Sequence, residues 1–294
     1  MIFTAPGKAV LWGEYAVLAG APAAIMAVSA TAQVSIETHS DHTWHFSSAG
    51  FDSPSVSVNK EGETLPTGPT TGFTTAILQH WGITQLSDLC GGMHLHTDSS
   101  DFFSAGHKLG LGSSAAVCNA TYAGLCQLLG KVPSLAEAQL IHRAWQNGKG
   151  SGLDVASSWF GGVISYQNGV AQPLQWPEDL HWQLVWTGKS AKTADHITRF
   201  DTWRQTDESG LLDDLSALSS LLCEQPIKDE LLMHYQKALF ALDQSAKLNI
   251  FTTEHLSLVK LAASSGLTYK PCGAGGGDIG IALSQDKDAL EKFR

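Results

Sequence analysis

The sequence predicts an α+β protein, and three observations carry that reading. Short stretches of alternating polarity read as strands, and longer stretches of helical apolar periodicity read as helices. The two kinds mix without the regular βαβ rhythm of a parallel α/β sheet. The chain has 294 residues, 43% hydrophobic and 16% charged, which is apolar enough to bury a core and too apolar for disorder. That length suits about two domains at ~150 residues each.

Each element has its own signal. Residues Ala32 to Glu37 alternate apolar and polar, as a half-buried strand does. Phe51 to Thr71 is rich in Ser, Pro, Gly and Thr and reads as a loop. Ala115 to Leu129 is apolar enough for a buried helix, with Ser113 and Ser114 as its expected caps. Leu135 to Trp145 predicts a second helix, ending near Gly148. Gln167-Asn168-Gly169 and Pro173 to Pro177 suggest a boundary, dividing the chain into domains 1–170 and 171–294. Trp182 to Trp186 alternates as a strand. Leu211 to Ala263 is mostly helical, interrupted at Pro226 and at Asn249-Ile250. Tyr269 to Leu283 holds a glycine loop and a short strand.

Charge and composition exclude several classes. Eighteen basic residues against 28 acidic ones give a net charge of −10. This disfavours nonspecific binding to nucleic acid or an anionic membrane, though local donors still allow an anionic small ligand. The N-terminus lacks the basic and apolar regions of a signal peptide. The most apolar window, Val17 to Ala32, is broken by Pro22 and is short of the ~20 residues of a membrane span. Five cysteines without a CxxC pair argue against a disulfide framework or a zinc site, and a reducing cytoplasm is expected. His39, His42 and His45, and His94 and His96, lack helical spacing and a third ligand, so no metal site is expected there. The nine tryptophans read as core or cleft wall.

Four segments carry chemistry. In Lys108-Leu109-Gly110-Leu111-Gly112-Ser113-Ser114-Ala115-Ala116, two glycines admit close backbone approach just before a helix start. Such a start favours an anion, and a serine hydroxyl there suits Mg²⁺. The segment is not a Walker A loop, and an ordinary glycine turn is the competing reading. In Ala5-Pro6-Gly7-Lys8, a lysine at the start of an apolar run is placed to project from a strand end, or simply into solvent. In Gly150-Ser151-Gly152-Leu153-Asp154, Ser151 suits a helix cap and Asp154 the helix's first turn, where the dipole favours a carboxylate. The loop Gly273-Ala274-Gly275-Gly276-Gly277 spends much conformational freedom, which suggests a closely approached ligand or a hairpin.

Together these segments resemble the GHMP kinase superfamily, whose first, second and third signatures look like Pro6-Gly7-Lys8 through Val17, Gly110 to Ala116, and Gly273 to Gly277, in the family's order along the chain. Within it the chain is most similar to the phosphomevalonate kinases, through Lys149 to Ala156, through Trp186 to Thr193, and through Gly277-Asp278 ending the glycine loop. The resemblance implies a two-domain fold, with an N-terminal domain like ribosomal protein S5 domain 2 and a C-terminal ferredoxin-like α/β sandwich. It implies ATP and Mg²⁺ as cofactors. Lys108, Gly110, Leu111, Gly112, Ser113, Ser114 and Ala115 would hold ATP, with Ser114 facing the metal. Lys8 and Asp154 would be catalytic. Glu14, Tyr15, Ser151, Lys189, Ser190, Thr193, Gly273, Ala274, Gly275 and Gly276 would hold the acceptor, with Glu14 also a candidate toward the metal.

The implied reaction phosphorylates (R)-5-phosphomevalonate to 5-diphosphomevalonate. Mevalonate kinase, another superfamily kinase, the related decarboxylase and a noncatalytic nucleotide-binding protein are the alternatives. The expected partner is a small molecule, with neither nucleic acid nor membrane, for a cytoplasmic monomer or homodimer. Two departures from the family pattern stand out. Arg143 occupies the place where mevalonate kinases carry a magnesium-binding glutamate, and Cys272 stands where Ser or Thr is common.

Overall fold

A computed structural model describes residues 1–50, 55–59, 64–89, 91–148, 150–191, 193–224 and 226–293, without the side chains of 193–195. In chain order the elements begin with β1 (Ile2–Trp12), β2 (Ala23–His39), β3 (Thr43–Ala49), β4 (Val56–Asn59) and α1 (Gly72–His80). Next come β5 (Gly92–Asp98), β6 (Phe103–Ser104), β7 (His107–Lys108), α2 (Ser113–Leu128), α3 (Leu135–Trp145) and α4 (Leu153–Phe160). Then follow β8 (Val163–Gln167), β9 (Val170–Pro173), β10 (His181–Trp186), α5 (Thr193–Arg204), α6 (Leu211–Glu224) and α7 (Asp229–Ala246). The chain closes with α8 (Thr253–Ser264), β11 (Thr268–Pro271), β12 (Ile279–Ser284) and α9 (Lys287–Lys292). The mixture is α+β.

Two compact, interleaved units emerge. The first comprises Met1–Gly7, Val28–Gly106 and Gly112–Phe160, the second Lys8–Ala27, His107–Leu111 and Gly161–Arg294. Position 170 therefore falls inside the second unit.

In the first unit the strand order is β4-β3-β5-β2. β5 runs antiparallel to β2 and parallel to β3, and β4 is antiparallel to β3. One face of this sheet is apolar: Val34, Ile36, Trp44, Phe46, Met93 and Leu95 are buried. Helix α2 lies against it, so close that a Cβ on Gly124 would stand 2.8 Å from Ile36 Cδ1. The opposite face carries Glu37, His39, His45, His94 and His96, as period-two alternation requires.

The second unit contains the antiparallel sheet β10-β12-β11. Its core gathers Ala262, Leu267, Tyr269, Ala282, Leu290 and Phe293. The first residues of β2 pair with β8, which pairs in turn with β9. The predicted interruption at Asn249-Ile250 is real. There Asp243, at the end of α7, accepts N–H bonds from Ile250 (2.8 Å) and Phe251 (2.9 Å). Lys247 and Asn249 take positive φ.

Three local expectations are corrected. The stretch read as loop contains β4, whose Val56 and Val58 pair with β3; most of the rest of 51–63 lies outside the described residues. Helix α2 is entered through Gly112 in the left-handed conformation, and neither Ser113 nor Ser114 caps it. Lys8 sits within the continuous strand β1 rather than at a strand end, because the chain stays extended through Pro6-Gly7.

Candidate active site

In the first unit three helices bring together three side chains far apart in sequence. Ser114, in the first turn of α2, lies with Oγ 3.2 Å from Nε2 of His142 on α3. His142 is buried, and Phe73 and Trp145 stack beside it. Burial pulls its pKa below the usual imidazole value, against the opposing influence of Asp154 on α4. Asp154 occupies the first turn of α4, as predicted, and Ser151 Oγ accepts the Leu153 N–H at 3.3 Å. Asn119 of α2 donates to the Val155 carbonyl at 3.0 Å, which locks α4 to α2. The start of α2 therefore presents N–H groups that no side chain caps, with a hydroxyl and a carboxylate placed around His142. Such a set of oxygen donors and backbone amides fits a phosphate with a hard divalent cation. Ser113 and Ala115 are buried, so their backbone rather than their side chains would serve.

In the second unit the first, second and third motifs meet. The Lys8 N–H donates to the Leu111 carbonyl at 2.8 Å. A Cβ on Gly273 would stand 3.7 Å from Lys8 Nζ, so the ammonium lies over the glycine loop. Gly110, at φ +78°, packs against Asp278, whose Cβ and Cγ would be 2.3 Å from an added Cβ. Asp278 also accepts the Ala191 N–H at 2.9 Å, tying the 187–191 segment to the same place. Burial raises the Asp278 pKa, countered by the Ala191 N–H and then by Lys8, Lys108 and His196. The cations thus share one neighbourhood.

Other predicted residues hold the loop rather than face solvent. Tyr15 is buried and donates to the Ala274 carbonyl at 2.6 Å. Gly275 and Gly276 pack on Ile250 and His196. Glu14 is buried too: its carboxylate is paired with Lys270 Nζ and accepts from Tyr235 Oη at 2.7 Å. Tyr235 Oη in turn accepts the Gly13 N–H at 2.7 Å. A carboxylate occupied in this way supports the wall of the second unit. Ser190 Oγ donates to the Lys108 carbonyl at 2.8 Å, and Lys108 itself is exposed. Lys189 is 62% exposed and ion-paired with Glu254, whose carboxyl is lowered to about 2 by that bond. The Thr193 side chain, Lys149 and Lys192 lie outside the described residues. Cys272 is buried, and burial pushes its thiol up to about 11.

Sequence reasoning passed over Asp278 as a site residue, although a carboxylate closing a glycine run was a visible signal. It also passed over Lys270, Tyr235 and His196. Tyr235 stands in an ordinary helical stretch of α7 with no local mark.

The first unit thus carries a glycine-entered helix start, and the second carries a lysine strand beside a glycine loop. The family GHMP kinases N terminal domain matches residues 71–162. That match takes in the start of α2 and the whole of α3 and α4. The curated proteins it resembles are named as phosphomevalonate and mevalonate kinases. A phosphomevalonate kinase of Streptomyces sp. (strain CL190) is 32% identical over 63% of this chain, and the match spans 59% of that relative. A mevalonate kinase of Thermococcus gammatolerans is 26% identical over 98% of this chain and 90% of its own. The fold is shared with the Streptococcus pneumoniae phosphomevalonate kinase solved with phosphomevalonate and AMPPNP. The TM-score is 0.79, at 19% identity, over 100% of this chain and 94% of that one. Among the described residues, no helix is long and apolar enough to cross a membrane.

Proposed function

We propose that this kinase transfers the γ-phosphoryl group of ATP to (R)-5-phosphomevalonate, giving ADP and 5-diphosphomevalonate. The observation that carries the reading is the position of Lys8 over the Gly273 turn, with Lys108 and His196 acting on the same carboxylate. An acidic chain that gathers cations there is suited to an anionic acceptor.

When bound, Mg·ATP supplies the phosphoryl group and much of the charge compensation. In the first unit, the amides from Gly112 to Ala115 would hold phosphate oxygens, with Ser114 and Asp154 turned toward Mg²⁺. His142, neutral through burial, orients the Ser114 hydroxyl. In the second unit, Lys8 would neutralise charge at the transferring group and Gly110-Leu111 would contribute backbone. The loop Gly273–Gly276, steadied by Tyr15, would close on the acceptor, and Ser190 and Lys189 would hold its phosphate. Glu14 acts by positioning through Lys270.

The acceptor's chemistry decides what Asp154 must do. A phosphate monoester has its second pKa near ~6 and is mostly dianionic at neutral pH. It therefore needs no base, and cations and in-line placement matter more. An alcohol such as mevalonate would need Asp154 as a base. The mevalonate reading is favoured by one observation, the match to a mevalonate kinase along nearly the whole chain. We further place the protein in the cytoplasm, as a monomer or homodimer.

An ADP-release assay with phosphomevalonate, mevalonate, galactose and homoserine decides between these. Turnover with phosphomevalonate is expected. Turnover with mevalonate alone overturns the substrate, and ATP binding without ADP formation from any acceptor overturns the kinase activity.

A further inference from the structure

We propose that His39, Asp41 and His45 form a binding site for a divalent first-row transition metal of the zinc kind, on the sheet of the first unit. One ligand atom from each side chain lies within 4.8 Å of the other two, and no ion is present.

The topology builds this cluster from two strands that are not neighbours. β2 and β3 flank β5 on either side, so the connection 40–42 passes over the start of β5. In register, His39 of β2 stands opposite Gly92, and His45 of β3 opposite His94. All point to the face away from the core. Gly92 brings no side chain between the two histidines. A Cβ there would meet Asp41 Oδ1 and the Thr43 carbonyl at 2.5 Å each. The Asp41 carboxylate fills that gap, fixed by the Thr43 N–H at 3.1 Å.

The donors are prepared for an ion. His39 Nδ1 lies 2.5 Å from Asp41 Oδ1 and is shielded from water, yet makes no hydrogen bond of proper geometry. A cation between the two would satisfy both. His45 Nδ1 is bonded to Ser57 Oγ at 2.8 Å, which leaves its other ring nitrogen for a ligand and orients the ring as the outer partners of metal-ligating imidazoles do. Asp41 is 61% exposed, which leaves an entry path. His94 and His96 are bridged instead by Ser47 Oγ, at 2.9 and 2.8 Å. Three protein ligands with an open fourth position result. Two imidazoles and one carboxylate suit zinc-like ions over Mg²⁺ or Ca²⁺. The nitrogens and oxygen need small side-chain rotations to reach bonding distance.

The test is calorimetric titration of Zn²⁺ alone into the full-length, metal-free protein, with Mg²⁺ as a control. The expected result is one saturable micromolar site for Zn²⁺, absent for Mg²⁺. Asp41→Asn and His45→Ala should each weaken it at least tenfold, while His234→Ala, at an exposed position of α7, leaves it unchanged. Circular dichroism checks that each variant is folded, and Co²⁺ in place of Zn²⁺ should give a visible absorption band that His45→Ala removes. ADP release should be unaffected by either cluster variant. The absence of saturable binding in the unaltered protein overturns the site. So does unchanged Zn²⁺ affinity in folded Asp41→Asn and His45→Ala.

Discussion

Asp278 lies directly against Gly110, close enough that a single added methyl group on the glycine would overlap its Cβ and Cγ at 2.3 Å. Gly110 and the carboxylate that follows the glycine run 273–277 are thus one packing unit. Gly110 also holds φ +78°, a conformation that costs a side-chain-bearing residue about 1–3 kcal/mol. Gly110→Ala is expected to lower the melting temperature and to cut kcat/KM at least tenfold. Calorimetry and steady-state kinetics check this, and wild-type values for both would mean the contact is dispensable.

Lys8→Met should cost several orders of magnitude in kcat, with little change in folding. Removing a cation from the charge that develops in the transition state affects rate more than binding. Single-turnover measurement reads the chemical step, and a loss under tenfold places Lys8 away from it.

Lys189 is engaged by Glu254. If it grips the acceptor phosphate, Lys189→Met raises KM for phosphomevalonate about tenfold while kcat changes little, and Glu254→Gln lowers that KM by releasing the ammonium. Equal KM values in all three proteins would assign Lys189 to the surface pair alone.

The Lys270–Glu14 pair is buried on both sides, at 2% and 0% side-chain exposure. Breaking one partner of such a pair strands a charge and costs about 3–5 kcal/mol. Lys270→Met should therefore destabilise the fold strongly by urea denaturation. Lys270→Met with Glu14→Gln should recover part of the loss, since no ion is then left unpaired.

His142 and His255 both have pKa values lowered from 6.5, first by burial. His255 is held between Tyr269 Oη at 2.9 Å and the Gly277 carbonyl at 3.0 Å. As pH falls through about 6.5, the unfolded chain takes up protons before the folded one does. Stability therefore declines below that value and is fully present above it. Urea titrations at successive pH values read the slope. His255→Gln should flatten it, and an unchanged slope would remove His255 from the effect.

Much of this was legible in the chain. Alternation at Ala32–Glu37 marked a strand because its Ala32, Val34 and Ile36 face is buried, and Trp182–Trp186 alternates likewise although none of its residues is fully buried. The break at Asn249-Ile250 was visible because the helical apolar pattern stops there. The three glycine-bearing motifs implied a phosphate-handling kinase through their resemblance to the GHMP signatures. β4 was missed because short strands in polar, glycine- and proline-rich stretches carry little periodicity. The caps expected at Ser113 and Ser114 were displaced by Gly112, whose positive φ starts the helix one residue earlier. The place of Asp41 beside His39 and His45 carried no local mark. Asp41 becomes a neighbour of both only because β5 runs between their strands with a glycine at its start.

Composition and local pattern, acting alone, determined the α+β class, an acidic charge that disfavours nonspecific binding to nucleic acid, and the glycine-bearing motifs, since these follow from residue type and spacing over a few turns of chain. Tertiary structure decided which carboxylates are spoken for. Glu14 is consumed by Lys270 and Tyr235, Asp278 is lodged against Gly110, and Asp41 is aimed between two histidines. Each outcome depends on partners brought in across other elements, and burial and charge pairing act through space rather than along the sequence.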